Sequence, residues 1–126
     1  MTQKRKTTVL YVEDNDDNAY MLSRRLKRRG FDVLIARDGE AGVNMAREVN
    51  PDIILMDLNL PILDGWSAIK LLRSDTTTHA TPIIAVSAHV LPEEREKALE
   101  AGCTDYKTKP IDFEKLLFSI HNCLKQ

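Results

Sequence analysis

The chain has 126 residues, 43% of them hydrophobic, and a formal net charge of −1. That length suits one domain with a real core, and the near-balanced charge gives no global attraction to nucleic acid or to a membrane surface. Its two cysteines, Cys103 and Cys123, fit neither a zinc spacing nor a disulfide framework, so they are expected to be reduced, semi-buried thiols in a cytosolic protein.

Residues 1–7 open polar and basic and are expected to fray, leaving 8–126 as the folded domain. No apolar signal core follows, and no apolar run approaches the ~18 residues of a membrane span. Val9-Leu10-Tyr11-Val12 is the first short apolar run, with Glu13, Asp14 and Asn15 directly after it. Ala19, Leu22 and Leu26 then keep a helical spacing that Gly30 ends. Val33-Leu34-Ile35-Ala36 is the second run; Ala41, Met45 and Val49 form a helical stripe stopped by Pro51. Ile53-Ile54-Leu55-Met56 leads into Asp57, and Ile69 and Leu72 anchor a third helix. Ile83-Ile84-Ala85-Val86 leads into Ser87. A helix over 92–101 follows, with Pro92 in its first turn, Glu93 and Glu94 at its positive end and Gly102 past its last turn. A weak fifth strand around Asp105-Tyr106-Lys107 leads to Lys109-Pro110, and Asp112 caps a helix carrying Phe113, Leu116, Leu117, Ile120 and Leu124.

The first four runs are apolar without alternation, as strands covered on both faces read. Strands alternating with helices imply a parallel α/β sheet with right-handed crossovers. In such a sheet ligands bind beyond the carboxyl ends of the strands. Glu13, Asp14 and Asn15, then Asp57, Ser87 and Lys109 all fall at those ends. Carboxylates gathered side by side repel unless something cancels their charge. Hard oxygen ligands of this kind suit Mg²⁺. A carboxylate nucleophile beside a cation, a lysine and a hydroxyl is the equipment of phosphoryl transfer.

These segments together resemble the receiver domain of bacterial two-component response regulators along nearly the whole chain. The matching stretches are Val9 to Asn15, Pro51 to Asp57, Leu60 to Gly65, Pro82 to Ala88, Ala98 to Cys103 and Asp105 to Pro110. The resemblance implies a flavodoxin-like, doubly wound, five-stranded parallel sheet in order 2-1-3-4-5 with five helices, an order for which a receiver domain is a standard example. It implies that Asp57 is the phosphoacceptor, supplied by a histidine kinase or a histidine phosphotransfer protein. Glu13 and Asp14 match the acidic pair that holds Mg²⁺ with Asp57, and Asn59 matches the position whose backbone carbonyl completes the metal shell. Asp14 or Asn15 could instead simply cap the first helix. Ser87 matches the switch hydroxyl, Tyr106 the aromatic switch, and Lys109 the lysine that pairs with the phosphoryl group, with a cis bond before Pro110. Asn59 and His89 flank the route of hydrolytic water. The fourth helix, fifth strand and fifth helix would form the output face, acting on a partner protein rather than on nucleic acid or membrane.

The basic run Arg24, Arg25, Lys27, Arg28 and Arg29 reads as a solvated helix face or a docking surface; Asn18 and Met21 lie nearer the site and suit docking better. Trp66 is expected to pack partly buried beside the loop after Asp57. His79, His89 and His121 have no metal-ligand spacing. The expectation is a cytoplasmic signalling switch, monomeric or weakly dimeric, rather than an enzyme. A receiver cut from a larger hybrid kinase or regulator also fits. An aspartyl-phosphate phosphatase would want a second Asp where Asn59 stands, and a docking module that has lost phosphorylation would not keep this full set of residues.

Overall fold

The computed structural model describes residues 5–88 and 91–125. Five strands alternate with five helices: β1 (Thr8–Val12), α1 (Asp16–Arg28), β2 (Asp32–Ala36), α2 (Gly39–Val49), β3 (Ile53–Asp57), α3 (Gly65–Ser74), β4 (Ile83–Ser87), α4 (Pro92–Ala101), β5 (Asp105–Thr108) and α5 (Phe113–Leu124). The strands form one sheet in the order β2-β1-β3-β4-β5, and every neighbouring pair is parallel.

Side chains alternate across the sheet and build a core on each face. Leu10, Val12, Ile54, Met56 and Ala85 pack against Val43 and Ala46 of α2, Ile69 and Leu72 of α3, and Ala98 of α4. Val9, Tyr11, Ile53, Leu55 and Ile84 pack against Leu22 and Leu26 of α1 and Leu116 and Ile120 of α5. β1, β3 and β4 are covered on both faces, so their apolar runs are unbroken. β2 departs from that expectation. It is an edge strand, and Val33, Leu34 and Ile35 are only half-buried.

Side-chain caps set the helix starts. Asn15 accepts the Asn18 N–H at 2.9 Å, which leaves the Asp14 carboxylate outside the cap. Asp38, Asp64 and Asp112 cap α2, α3 and α5 in the same way. α2 ends at Val49, as the stripe stopped by Pro51 implies, and Asn50 takes the left-handed conformation just before the proline. Cys103 and Cys123 are free and buried. At the N-terminal edge, Arg5 donates to both carboxylate oxygens of Asp52, at 3.1 and 2.8 Å. Among the described residues no helix is long and apolar enough to cross a membrane.

Candidate phosphoacceptor site

The carboxyl ends of β1, β3, β4 and β5 meet around one acidic centre. Val12 lies in register with Met56, so Glu13 and Asp57, the next residues along, project to the same side. Glu13 and Asp57 are buried and Asp14 is exposed. One ligand oxygen from each of the three lies within 4.8 Å of the others. Lys109 Nζ reaches in from beyond β5, 3.0 Å from Asp57 Oδ2 and 3.1 Å from Glu13 Oε1. The bond between Lys109 and Pro110 is cis.

Three of the four buried oxygens also take a backbone or phenol donor. Asp57 Oδ1 accepts the Asn59 N–H at 3.0 Å. Glu13 Oε2 accepts the Asn15 N–H at 3.2 Å, and Oε1 accepts the Tyr11 hydroxyl at 3.0 Å. Behind the site, Gly65 closes on the strand. A Cβ there would come within 2.5 Å of the Asp57 carbonyl oxygen, so only glycine lets α3 start so close to the acceptor.

Electrostatics separates the two buried acids. Burial pushes Asp57 up to about 6; Glu13 adds to the rise, while the Asn59 N–H and Lys109 oppose it. Burial also pushes Glu13 up, but hydrogen bonds from Asp57, Asn15 and Lys109 outweigh it and hold Glu13 below the usual carboxylate range. Burial works against the Lys109 charge, and Asp57 and Glu13 more than restore it, so the ammonium is held above its ordinary value. The site is thus an anionic bowl with one fixed cation, and all its carboxylate donors are hard oxygens of the kind Mg²⁺ prefers.

Ser87 ends β4 and is fully buried, and its carbonyl accepts the Lys109 N–H at 2.7 Å. Tyr106 lies within the core cluster on the α2–α3–α4 face. Asn59 is exposed at the rim. His89 lies outside the described residues. Met21 is 63% exposed, and it lines with Asn18, Arg25, Lys109 and Ile111 a cleft of about 490 Å³ between α1 and the segment after β5. The basic run of α1 is not simply solvated. Arg25 and Arg29 stack on Phe113, 4.1 and 5.5 Å from the ring centroid, and Arg29 pairs with Glu114 at 2.9 Å. Trp66 is half-buried beside the acceptor loop as expected, with Lys97 Nζ of α4 4.3 Å from its ring centroid. Sequence reasoning missed Tyr11. The available signal was its place two residues before Glu13 on a strand, hence on the same face.

A five-stranded parallel sheet of this order, with an acid cluster and a lysine at its carboxyl edge, defines a receiver-type α/β domain. The family described as the response regulator receiver domain matches residues 9–121. Protein PilH of Pseudomonas aeruginosa is 37% identical over 116 residues, covering 92% of this chain and 96% of PilH. The polar-differentiation response regulator DivK of Brucella ovis is 32% identical, covering 93% of this chain and 95% of DivK. Hybrid signal transduction histidine kinase I of Dictyostelium discoideum is 40% identical over 121 residues, and there the match spans only 7% of the longer protein. Among solved structures, the receiver domain of a Pseudomonas aeruginosa sensor histidine kinase, with a magnesium ion coordinated in its active site cleft, superposes with a TM-score of 0.90 at 34% identity, covering 97% of this chain and all of that one. A putative response regulator from Chloroflexus aurantiacus superposes with a TM-score of 0.93 at 30% identity, covering 97% of this chain and all of that one. The chain belongs to the response regulator receiver domain family of two-component systems.

Proposed function

We propose that Asp57 accepts a phosphoryl group from a phosphohistidine on a histidine kinase or phosphotransfer protein. The observation that carries this is the Lys109 ammonium bridging two buried carboxylates, Asp57 at 3.0 Å and Glu13 at 3.1 Å, with Asp14 beside them. An Asp57 oxygen attacks phosphorus, the new O–P bond forms, and the P–N bond breaks with its electron pair returning to the donor imidazole. Burial gives the nucleophile a dry setting, and the Asn59 N–H fixes its other oxygen. Glu13, Asp14, Asp57 and the Asn59 carbonyl would hold Mg²⁺, which when bound offsets charge on the transferring phosphoryl oxygens. Lys109 and Ser87 are suited to bind those oxygens, and Tyr106 follows Ser87 in reshaping the face made by α4, β5 and α5, a shift between two existing states. Asn59 and His89 set the lifetime of the phosphoryl group.

The donor docks over the cleft lined by Asn18 and Met21, which opens beside Lys109. The output is a protein target met by the α4–β5–α5 face, with no nucleic acid or membrane involved, and the chain acts as a cytoplasmic monomer or weak dimer. The matches to PilH and DivK, which span nearly the whole of those proteins, support a receiver that works as a switch. A receiver carried inside a longer hybrid kinase is the second reading, favoured by the 40% identity to the Dictyostelium kinase. Catalysis is confined to the protein's own phosphorylation and dephosphorylation, because Asn59 stands where a phosphatase of external esters would carry its general acid.

Acetyl phosphate with Mg²⁺ tests the assignment. Intact mass should show one added phosphoryl group on the wild type and none on Asp57→Ala. Label that persists in the variant, or steady phosphate release from a phosphomonoester, sinks it.

A further inference from the structure

Tyr11 has no part in the steps above, yet its hydroxyl ends inside the acidic site. Side chains of β1 alternate between the faces of the sheet, so Tyr11 and Glu13 point the same way. The ring is buried among Val9, Leu22 and Leu55 on the α1–α5 face. Its hydroxyl donates to Glu13 Oε1 at 3.0 Å. That same oxygen accepts Lys109 Nζ at 3.1 Å, whereas Oε2 takes the Asn15 N–H. The phenol and the ammonium therefore share one oxygen of a residue that is 1% exposed.

We propose that Tyr11 is a positioning residue for phosphoryl transfer: its hydroxyl holds Glu13 Oε1, so that Lys109 can leave that oxygen for the phosphoryl group while Glu13 keeps its orientation toward the cation. The inference rests on the phosphoacceptor reading of Asp57. Lys109 Nζ bridges Glu13 Oε1 and Asp57 Oδ2, and a phosphoryl group on Asp57 competes for it. A buried carboxylate oxygen that loses its donors pays its desolvation in full. With Tyr11 present, Oε1 keeps a neutral donor when the ammonium departs. With phenylalanine there, Lys109 is the side chain on which that oxygen depends, and drawing it away unseats Glu13. An aliphatic side chain would fill this core position without a polar tip, and a buried phenol needs a hydrogen-bond partner; here that partner is a group of the site itself.

Tyr11→Phe removes one oxygen and keeps the ring in place. Mg²⁺ alone is titrated calorimetrically into wild type and variant, and phosphoryl uptake from acetyl phosphate is timed at saturating Mg²⁺. Uptake, the step in which Lys109 leaves Glu13 Oε1, should slow ~10-fold, in the range for hydrogen-bond partners of metal-ligating carboxylates, and the dissociation constant for Mg²⁺ should rise by less. In the unsubstituted protein the Tyr11 ring resonances should shift when Mg²⁺ is added, a readout that needs no variant. A folded Tyr11→Phe protein with unchanged affinity and unchanged uptake overturns the proposal, even if its melting temperature falls, since that marks packing alone. Wild-type Tyr11 resonances indifferent to Mg²⁺ overturn it as well. Wild-type protein that takes up neither Mg²⁺ nor phosphoryl removes the phosphoacceptor reading itself, an outcome distinct from silence in the variant alone.

Discussion

Lys109 places its ammonium 3.0 Å from Asp57 Oδ2 across 52 residues of sequence. The same nitrogen lies 3.1 Å from Glu13 Oε1, so one cation faces a cluster of three carboxylates. The charge is only partly cancelled. The remainder is a standing cost to the fold that phosphorylation chemistry requires, and removing it or neutralising it has measurable consequences.

The first concerns pH in the absence of metal. Folding raises Asp57 from 3.8 to about 6, chiefly through burial. The folded chain therefore binds more protons than the unfolded chain between those values. This contribution to stability is complete below the unfolded value and is lost as pH rises through about 6. Glu13 is shifted the opposite way, so its contribution to stability is lost as pH falls and not as it rises. Asp57→Asn should accordingly be more stable than wild type at about pH 7.5, by about 1–3 kcal/mol, and nearly equal to it at about pH 4. Thermal melts in chelator at both pH values decide this. A variant less stable than wild type at the higher pH contradicts it.

Mg²⁺ should relieve the same cost from outside. It binds the clustered oxygens only in the folded chain, so a hundredfold excess over its dissociation constant adds about 2.7 kcal/mol. For a domain of this size that is roughly a 10 °C rise in melting temperature. A melting curve that millimolar Mg²⁺ leaves unmoved removes the metal assignment for Glu13, Asp14 and Asp57.

Much of this site is legible in the sequence because its acids and Ser87 end or directly follow buried strands. Val9–Val12, Ile53–Met56 and Ile83–Val86 announce strands by unbroken apolar runs, and Glu13, Asp57 and Ser87 are the first polar residues after them. Gly102, Asp112 and the Pro92 start are local signals, which is why α4 and α5 begin and end where expected. What escapes is non-local. The exposure of β2 depends on its place at the sheet edge, which its composition does not encode. Tyr11 reads as core because its hydroxyl finds its partner only once the strand is pleated.

The loop after β3 stores strain that a substitution should release. Ile62 has φ +70, and the Leu63 N–H donates to the Pro61 carbonyl at 2.7 Å, which closes a γ-turn around a β-branched residue. The Ile62 side chain is 77% exposed, so no packing offsets the strain. Ile62→Gly should stabilise by about 1 kcal/mol, the relief of a positive φ less the added freedom of the unfolded chain. The neighbouring Gly39→Ala should do the reverse. A Cβ there would sit 1.9 Å from the Leu63 carbonyl oxygen, and the cost should be about 2–3 kcal/mol or more. Denaturant midpoints measured on both variants check the pair; a neutral Gly39→Ala would mean that the loop gives way freely.

At the opposite end of the sheet, Arg73 should matter for the fold and not for the chemistry. Its Nε donates to the Gly102 carbonyl at 2.7 Å, and its Nη1 to the carbonyls of Thr81 and His79 at 2.6 and 3.0 Å. One planar cation thus ties the end of α4 to the segment that leads from α3 into β4. Burial lowers the Arg73 pKa from its ordinary value, yet a guanidinium stays charged under any folding condition, and its forked donors serve several carbonyls at once. A lysine offers a point charge in place of the fork, so Arg73→Lys should lose about 2 kcal/mol of stability. Asp57 and Lys109 lie at the carboxyl ends of the strands, whereas Thr81 precedes the first residue of β4. The folded fraction of the variant should therefore take up phosphoryl from acetyl phosphate at the wild-type rate. Loss of uptake at full folding would mean that this clamp reaches the site through α4.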